Sequence, residues 1–186
     1  MKKSNVGKMV GIALLIAIVV VLQLLGQFVK FGPVSISLVL MPIVVGAAVY
    51  GPGAGAILGL AFSVVVLLQP DTAFFYGMSV IGTVVTVLVK GILCGWISGI
   101  IYQVFAKKNA ILGVAMAAVI CPVVNTAVFF LGCCTFFLKP LAQTGIENVA
   151  FYVITVFIGF NFIAEFFANV LCCPIIVRLL RALKKV

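Results

Sequence analysis

Between residues 9 and 181 the chain is a succession of long apolar runs, separated by only a few helix-breaking residues. A helix that spans a membrane needs about 20 mostly apolar residues. Only 8% of the 186 residues are charged, against roughly a quarter in a soluble domain, so little of this chain can face water. We predict an all-α polytopic membrane protein in which residues 1–186 form a single transmembrane domain.

A hydropathy window of about one membrane thickness predicts a bundle of six transmembrane helices. Their predicted bounds are 9–29, 34–50, 53–69, 78–105, 110–138 and 150–181. The breaks between them contain Gly32-Pro33, Gly51-Pro52, Pro70-Asp71 and Lys107-Lys108. Glycine and proline are the residues that most often end helices, which is why the boundaries are set there.

The basic residues are unevenly distributed between the predicted loops. With the amino terminus inside, the cytoplasmic segments carry nine Lys and Arg residues, and the opposite side carries only Lys30 and Lys139. Because positive residues accumulate on the cytoplasmic side, we predict an N-in/C-in arrangement in a bacterial cytoplasmic membrane. Arg178 and Arg181, near the carboxyl terminus, are expected to meet anionic lipid headgroups. Nucleic acid is a poor candidate partner, since the basic residues do not line an aromatic-studded face.

The chain has no histidine and only three acids. Ser-His-Asp triads and His-Glu-x-x-His metal sites are therefore impossible, and no Walker A glycine loop is present. The six cysteines lie in apolar stretches without a Cys-x-x-Cys pair and are expected to pack as small apolar side chains. We expect no enzymatic activity, no cofactor and no metal site.

Three polar residues lie deep inside predicted spans: Lys90, Asn125 and Glu165. Counted from the ends of their spans at 1.5 Å per residue, all three fall near the middle of the membrane. A charge there costs about 2.5 to 3.5 kcal/mol on insertion scales, so each one needs a partner or a role. Our hypothesis is that Lys90 and Glu165 compensate one another or lie on either side of a polar ligand, beside Asn125 and Asn161.

Other polar residues extend this candidate site. Asn161, Glu165 and Asn169 recur every fourth residue and share one helix face, and Thr86 lies one turn from Lys90. Gln69, Asp71 and Tyr76 flank a predicted external loop and are weaker candidates for closing over a flat ligand. The alternative is that Lys90 and Glu165 form a buried ion pair that only fixes the register of two helices.

Small residues recur at four-residue spacing in Ala13-x-x-x-Ala17 and in Gly91-x-x-x-Gly95-x-x-x-Gly99. Such faces allow two membrane helices to approach closely. For the glycine series we favour packing within the bundle. For Ala13 and Ala17 a contact with another subunit is also open.

The stretch Leu38 to Phe62, LVLMPIVVGAAVYGPGAGAILGLAF, resembles the second and third helices of the substrate-binding S components of energy-coupling factor (ECF) vitamin transporters. Ala13-x-x-x-Ala17 resembles the alanine motif through which those proteins dock on a shared transmembrane coupling subunit. The resemblance implies a protein that binds a vitamin or related micronutrient at the external side and delivers it when joined to that subunit and two ATPases. The residues leave the vitamin open, and a stand-alone ion-coupled secondary transporter remains the alternative.

Overall fold

The computed structural model describes residues 5–26, 30–31, 34–35, 39–142, 155 and 159–182. In chain order its elements are α1 (Asn5–Gly26), β1 (Lys30–Phe31), β2 (Val34–Ser35), α2 (Leu40–Tyr50), α3 (Pro52–Leu67), α4 (Pro70–Met78), α5 (Val80–Ala106), α6 (Ala110–Gly132), a π-helical turn (Cys133–Phe137), α7 (Leu138–Ala142) and α8 (Phe160–Ala182). Apart from one small hairpin, these elements are all helical. The predicted all-α class is thus confirmed.

Three of the described helical segments are long and apolar enough to cross a membrane, namely Val6–Gly26, Val80–Ala106 and Ala110–Ala142. The bent pair α3 and α4 makes a fourth if it is counted as one span. Helix α2 is apolar but has only 11 residues, which is about 16 Å and roughly half of the hydrocarbon core. The described residues therefore form a polytopic membrane protein with three or four such spans, and the count of six stays a prediction.

Two predicted helix boundaries differ from the structure. The second helix begins at Leu40 rather than at residue 34, because Val34 and Ser35 pair with Lys30 and Phe31 in an antiparallel hairpin. These two residues follow Gly32-Pro33, a dipeptide that favours a turn over a helix start. The fifth helix continues past 138, through the π-helical turn, to Ala142. Most of the first ten residues of the predicted sixth helix lie outside the described residues, and α8 covers the rest.

The segment predicted as an external loop, residues 69–78, is largely helical. Helix α4 is turned by 81° from α3, and side chains of α4 hold this elbow. The Thr72 hydroxyl donates to the carbonyl of Val66 at 2.6 Å, and the Tyr76 hydroxyl donates to the carbonyl of Leu67 at 2.9 Å. The carbonyls at the end of a helix have no partner within it. These hydroxyls supply partners, and so they allow a sharp change of direction.

The elbow is also joined to α1 by two glutamines. The Gln23 side-chain amide donates to Oε1 of Gln69, and the Gln69 side-chain amide donates to the backbone carbonyl of Gln23, both at 3.0 Å. Both side chains are buried. Since buried amides are costly unless they are hydrogen bonded, this reciprocal pair fixes α1 against the α3–α4 elbow.

Helices α3 and α5 pack backbone against backbone through glycines. A Cβ added at Gly59 would lie 2.6 Å from the carbonyl carbon of Gly91, and one added at Gly55 would lie 2.9 Å from that of Gly95. No side chain fits at either place. The expectation that the glycine series of α5 packs within the bundle is confirmed.

Helix α2 lies at the centre of the bundle, and α1 lies at its edge. Every residue of α2 from Pro42 to Val49 is buried, as expected for a helix that is apolar on all sides. In α1, Val19 and Gln23 are buried, whereas Ala13 and Ala17 are exposed on the outward face. The small-residue motif of α1 therefore does not contribute to packing within the described bundle.

Candidate functional site

The deep polar residues of α6 and α8 are in direct contact. The Asn125 amide donates to Oε2 of Glu165 at 3.2 Å, and the Asn169 amide donates to the backbone carbonyl of Glu165 at 3.0 Å. All three side chains are buried, with exposures of 5% or less. Glu165 and Asn169 are four residues apart, so they share one face of α8, and that face points into the bundle.

Lys90 of α5 reaches the same region from another direction. Its half-buried side chain places Nζ 5.2 Å from the centre of the Phe129 ring on α6 and 5.7 Å from that of Phe62 on α3. An ammonium group over a ring face is attracted by the ring quadrupole, by about 0.5 to 2 kcal/mol depending on desolvation. The ammonium also interacts electrostatically with Glu165. Among the contacts of the described residues, however, there is no salt bridge between them.

Several buried acceptors around this cluster have no hydrogen-bond donor within the described part of the chain. They are Oδ1 of Asn125, Oδ1 of Asn169 and Oγ1 of Thr86. Leaving such an atom unsatisfied costs about 1 to 3 kcal/mol. A bound molecule with N–H or O–H groups would recover that free energy. The site can therefore offer one cation, one carboxylate and several acceptors to a polar ligand.

Phenylalanines connect this cluster to α4. Phe75 of α4 is buried. Its ring packs edge-on against Phe129, with 5.7 Å between the ring centres, and at a tilt against Phe137, with 5.3 Å between the centres. Phe129 is the ring that lies under the Lys90 ammonium. Helix α4 thus closes one end of the cluster with an aromatic layer.

The π-helical turn lies beside the site. It begins directly after Gly132, where an added Cβ would lie 2.9 Å from Cβ of Thr86. Because Thr86 packs so closely on α6, its hydroxyl is held inside the bundle. Single π-helical turns inside α-helices occur frequently at functional sites, and here the turn carries Phe137 into the aromatic layer.

Three of the remaining predicted site residues lie in or beside the α3–α4 elbow. Gln69 and Tyr76 are hydrogen bonded within the elbow. Asp71 is half-buried in the first turn of α4, where a carboxylate is favoured by the helix dipole. Asn161 is the second residue of α8, and its side chain lies outside what the structure describes. Whether these four residues contact a ligand stays a prediction.

The sequence analysis did not single out Phe62, Phe75 or Phe129 as residues of the site. The chain has sixteen phenylalanines, and nothing in the sequence separates those that line a polar cluster from those that face lipid. Within the described residues, no group of three or more His, Cys, Asp or Glu side chains is placed to hold a metal ion.

Comparison with known proteins identifies a family for this chain. The model of a family described as "ECF transporter, substrate-specific component" matches residues 7–177. No curated protein and no solved structure matches the chain. The matched stretch includes α2 to α7, most of α1 and α8, and all the residues of the polar cluster. The protein therefore belongs to the family of substrate-specific components of ECF transporters.

Proposed function

We propose that this protein captures a vitamin or related micronutrient from the external side of the bacterial cytoplasmic membrane, for ATP-driven uptake by a shared ECF module. The observation that carries the proposal is the hydrogen bond between Asn125 of α6 and Glu165 of α8, with the Lys90 ammonium of α5 beside the Phe129 ring of α6. Family membership supports a substrate-binding subunit of a transporter. Ionisable side chains inside a membrane are rare and mark solute pathways by default.

The chemistry of the cluster suggests which ligand groups would bind. The Lys90 ammonium is a donor and suits a carbonyl or carboxylate oxygen. The acceptors on Asn125, Asn169 and Thr86 suit N–H or O–H groups of the ligand. Phe62 and Phe129 flank the ammonium, so a flat part of the ligand could pack beside them. A polar vitamin with both donors and acceptors meets these requirements.

The topology we propose has both termini inside and six spans. Nine basic residues on one side against two on the other support this orientation. Helix α4 then lies at the external end of the bundle. Gln69, Asp71 and Tyr76 would flank the mouth through which the ligand arrives, and the aromatic layer of Phe75 would lie between that mouth and Lys90.

The exposed face of α1 is the surface we assign to the ECF coupling subunit, which itself associates with two ATPases. Ala13 and Ala17 are both exposed on that face, and both are small. Small residues allow the backbones of two helices to approach closely, and in a membrane close packing drives association. Ala13 and Ala17 would therefore lie at the centre of the docking contact.

The experiment begins by purifying the chain in detergent and identifying co-purified small molecules by mass spectrometry. The affinity of the identified compound is then measured for the wild type, Lys90→Ala and Glu165→Gln. Lys8→Ala is the matched control, since it removes an exposed lysine remote from the cluster. Thermal unfolding of each variant without ligand shows whether it is folded.

We expect Lys90→Ala to weaken binding by about ten- to a hundredfold, because a hydrogen bond to a charged group contributes about 1.5 to 3 kcal/mol. Glu165→Gln is expected to weaken binding as well, since it removes the charge that balances Lys90. Lys8→Ala should bind like the wild type. Unchanged affinity in folded Lys90→Ala and Glu165→Gln variants would overturn the assignment of the site.

A stand-alone secondary transporter is the alternative function, and it is separated by an uptake assay. In sealed vesicles, the chain alone should bind its ligand without accumulating it, and uptake should require the ATPase module. Concentrative uptake by the chain alone, driven by an ion gradient, would favour the alternative.

A further inference from the structure

A groove lies between the first two turns of α6 and the last turns of α8, and on α8 it begins one helical turn beyond Asn169 of the polar cluster. Its volume is about 350 Å³, in the range of small-molecule binding sites. The residues that line it are Ile111, Ala115, Cys173, Pro174, Val177 and Arg178. Five of these side chains are apolar or weakly polar, and the sixth is a cation at one end.

Pro174 is one of the residues that line the groove. It lies inside α8, where proline has no N–H to donate to the carbonyl four residues earlier and its ring crowds that carbonyl. Helices bend at such positions. Ala115, on the facing helix, is too small to fill the space that results.

The groove is open toward the surface that faces lipid. Ile111, which lines the groove, is 44% exposed, and Ile175, the residue after Pro174, is 50% exposed. In a membrane protein, exposed isoleucines at a helix surface contact acyl chains. The apolar part of the groove is therefore continuous with the hydrocarbon region, which suits a ligand that arrives from the bilayer rather than from water.

The charge at the end of the groove is positive. Arg178 is exposed, and Lys107 and Lys108 are exposed in the turn that leads into α6. Of the three acids, Asp71 is in α4 and Glu147 lies outside the described residues. Glu165 precedes Arg178 by thirteen positions on α8, which is about 20 Å along the helix. An anion from outside the chain is the partner that this end of the groove suits.

We propose that the groove binds an anionic phospholipid, whose phosphate lies at Arg178 and whose acyl chain lies against Ala115, Pro174 and Val177. The occupant fits both parts of the site, since it has a negative headgroup at the depth of the basic residues and an apolar chain that enters from the bilayer. A planar guanidinium fork matches a phosphate geometrically. The site is separate from the proposed substrate site, so the two proposals fail independently.

The test uses the full chain purified in detergent and titrated with phosphatidylglycerol or phosphatidylcholine of identical acyl chains. Native mass spectrometry counts the retained lipid. A basic residue near a membrane surface contributes enough binding free energy for about a fivefold preference per charge. We expect at least that preference for phosphatidylglycerol in the wild type, and a loss of about fivefold in Arg178→Gln.

Two further variants locate the lipid. Ala115→Leu fills the apolar part of the groove and should reduce retention of phosphatidylglycerol even though no charge changes. Lys139→Gln removes an exposed cation from α7, away from the groove, and should retain the lipid like the wild type. Affinity for the transported compound should be unchanged in Arg178→Gln, which distinguishes this site from the substrate site.

Three results would overturn the proposal. They are equal retention of the two lipids by the wild type, equal loss in Lys139→Gln and Arg178→Gln, or retention by Ala115→Leu that matches the wild type. Loss of the preference for phosphatidylglycerol once the coupling subunit is bound, together with protection of Ala115→Cys from thiol labelling only in that complex, would assign the groove to the protein partner instead.

Discussion

The glycine contact between α3 and α5 allows a quantitative test of how tightly this bundle is packed. In Gly59→Ala the new methyl carbon would lie 2.6 Å from the carbonyl carbon of Gly91 and closer still to its oxygen. Carbon atoms in contact are normally about 3.5 to 4.0 Å apart. The two helices must therefore separate by about 1 Å at this point, and neither side can relieve the clash by rotating a side chain.

The size of the effect follows from two opposing contributions. Alanine in place of glycine inside a helix is intrinsically favourable by about 0.5 to 1 kcal/mol. Overpacking a close contact costs about 1 to 3 kcal/mol, and a contact between two backbones belongs at the upper end of that range. We expect a net loss of about 2 kcal/mol, or a fall in the unfolding temperature of about 4 to 8 °C for a chain of this size.

Gly53→Ala is the matched control, because Gly53 is in the same helix and an added Cβ there has nothing within 4 Å. Thermal unfolding of both variants in the same detergent gives the comparison. Gly53→Ala should unfold at or slightly above the temperature of the wild type, since only the intrinsic gain remains. If Gly59→Ala unfolds at the same temperature as Gly53→Ala, the tight α3–α5 contact is refuted.

Two further predictions concern other contacts of α1. Gln23→Ala removes the hydrogen bond that the Gln23 side-chain amide donates to Oε1 of Gln69, leaves that buried oxygen without this donor, and should lower stability by about 1 to 3 kcal/mol in thermal unfolding. Leucine at both positions should recover part of the loss, and a Gln23→Ala variant as stable as the wild type would contradict the role of the pair. Ala17→Leu should leave the unfolding temperature and ligand affinity of the isolated chain unchanged but abolish co-purification with the coupling subunit, and undiminished co-purification would remove α1 from the docking surface.

The sequence predicts the fold class and the polar cluster for the same reason. Apolar runs leave little choice but helices in a membrane, and a charge or amide inside such a run stands out because its burial is costly. Lys90, Asn125 and Glu165 could therefore be selected without coordinates. That Asn125 rather than Lys90 would donate to the carboxylate could not be predicted, since it depends on how α5, α6 and α8 are rotated about their axes.

The α3–α4 elbow could not be predicted for a different reason. Pro70 and Asp71 are typical both of a loop and of the first turn of a helix, and hydropathy does not distinguish the two. The direction of α4 depends on hydrogen bonds from Thr72 and Tyr76 to carbonyls of α3. The same polar side chains that suggested a ligand-facing loop are thus used, in the structure, to turn the chain.

The position of Lys90 relates the glycine contact to the polar cluster. Gly91, its neighbour in sequence, holds α5 directly against α3, and the Ser63 hydroxyl of α3 donates to the carbonyl of Val87 on α5 at 2.7 Å. The depth and rotation of Lys90 are therefore fixed by a close contact of backbones and one hydroxyl. Its ammonium is thereby placed between a ring of α3 and a ring of α6. Rings and a nearby carboxylate offset only part of the cost of a charge at this depth, because neither satisfies all three of its N–H donors. Oδ1 of Asn125 and Oδ1 of Asn169 have no donor within the described residues. Under the proposed function, a ligand with an acceptor toward Lys90 and donors toward these two amides would offset both costs.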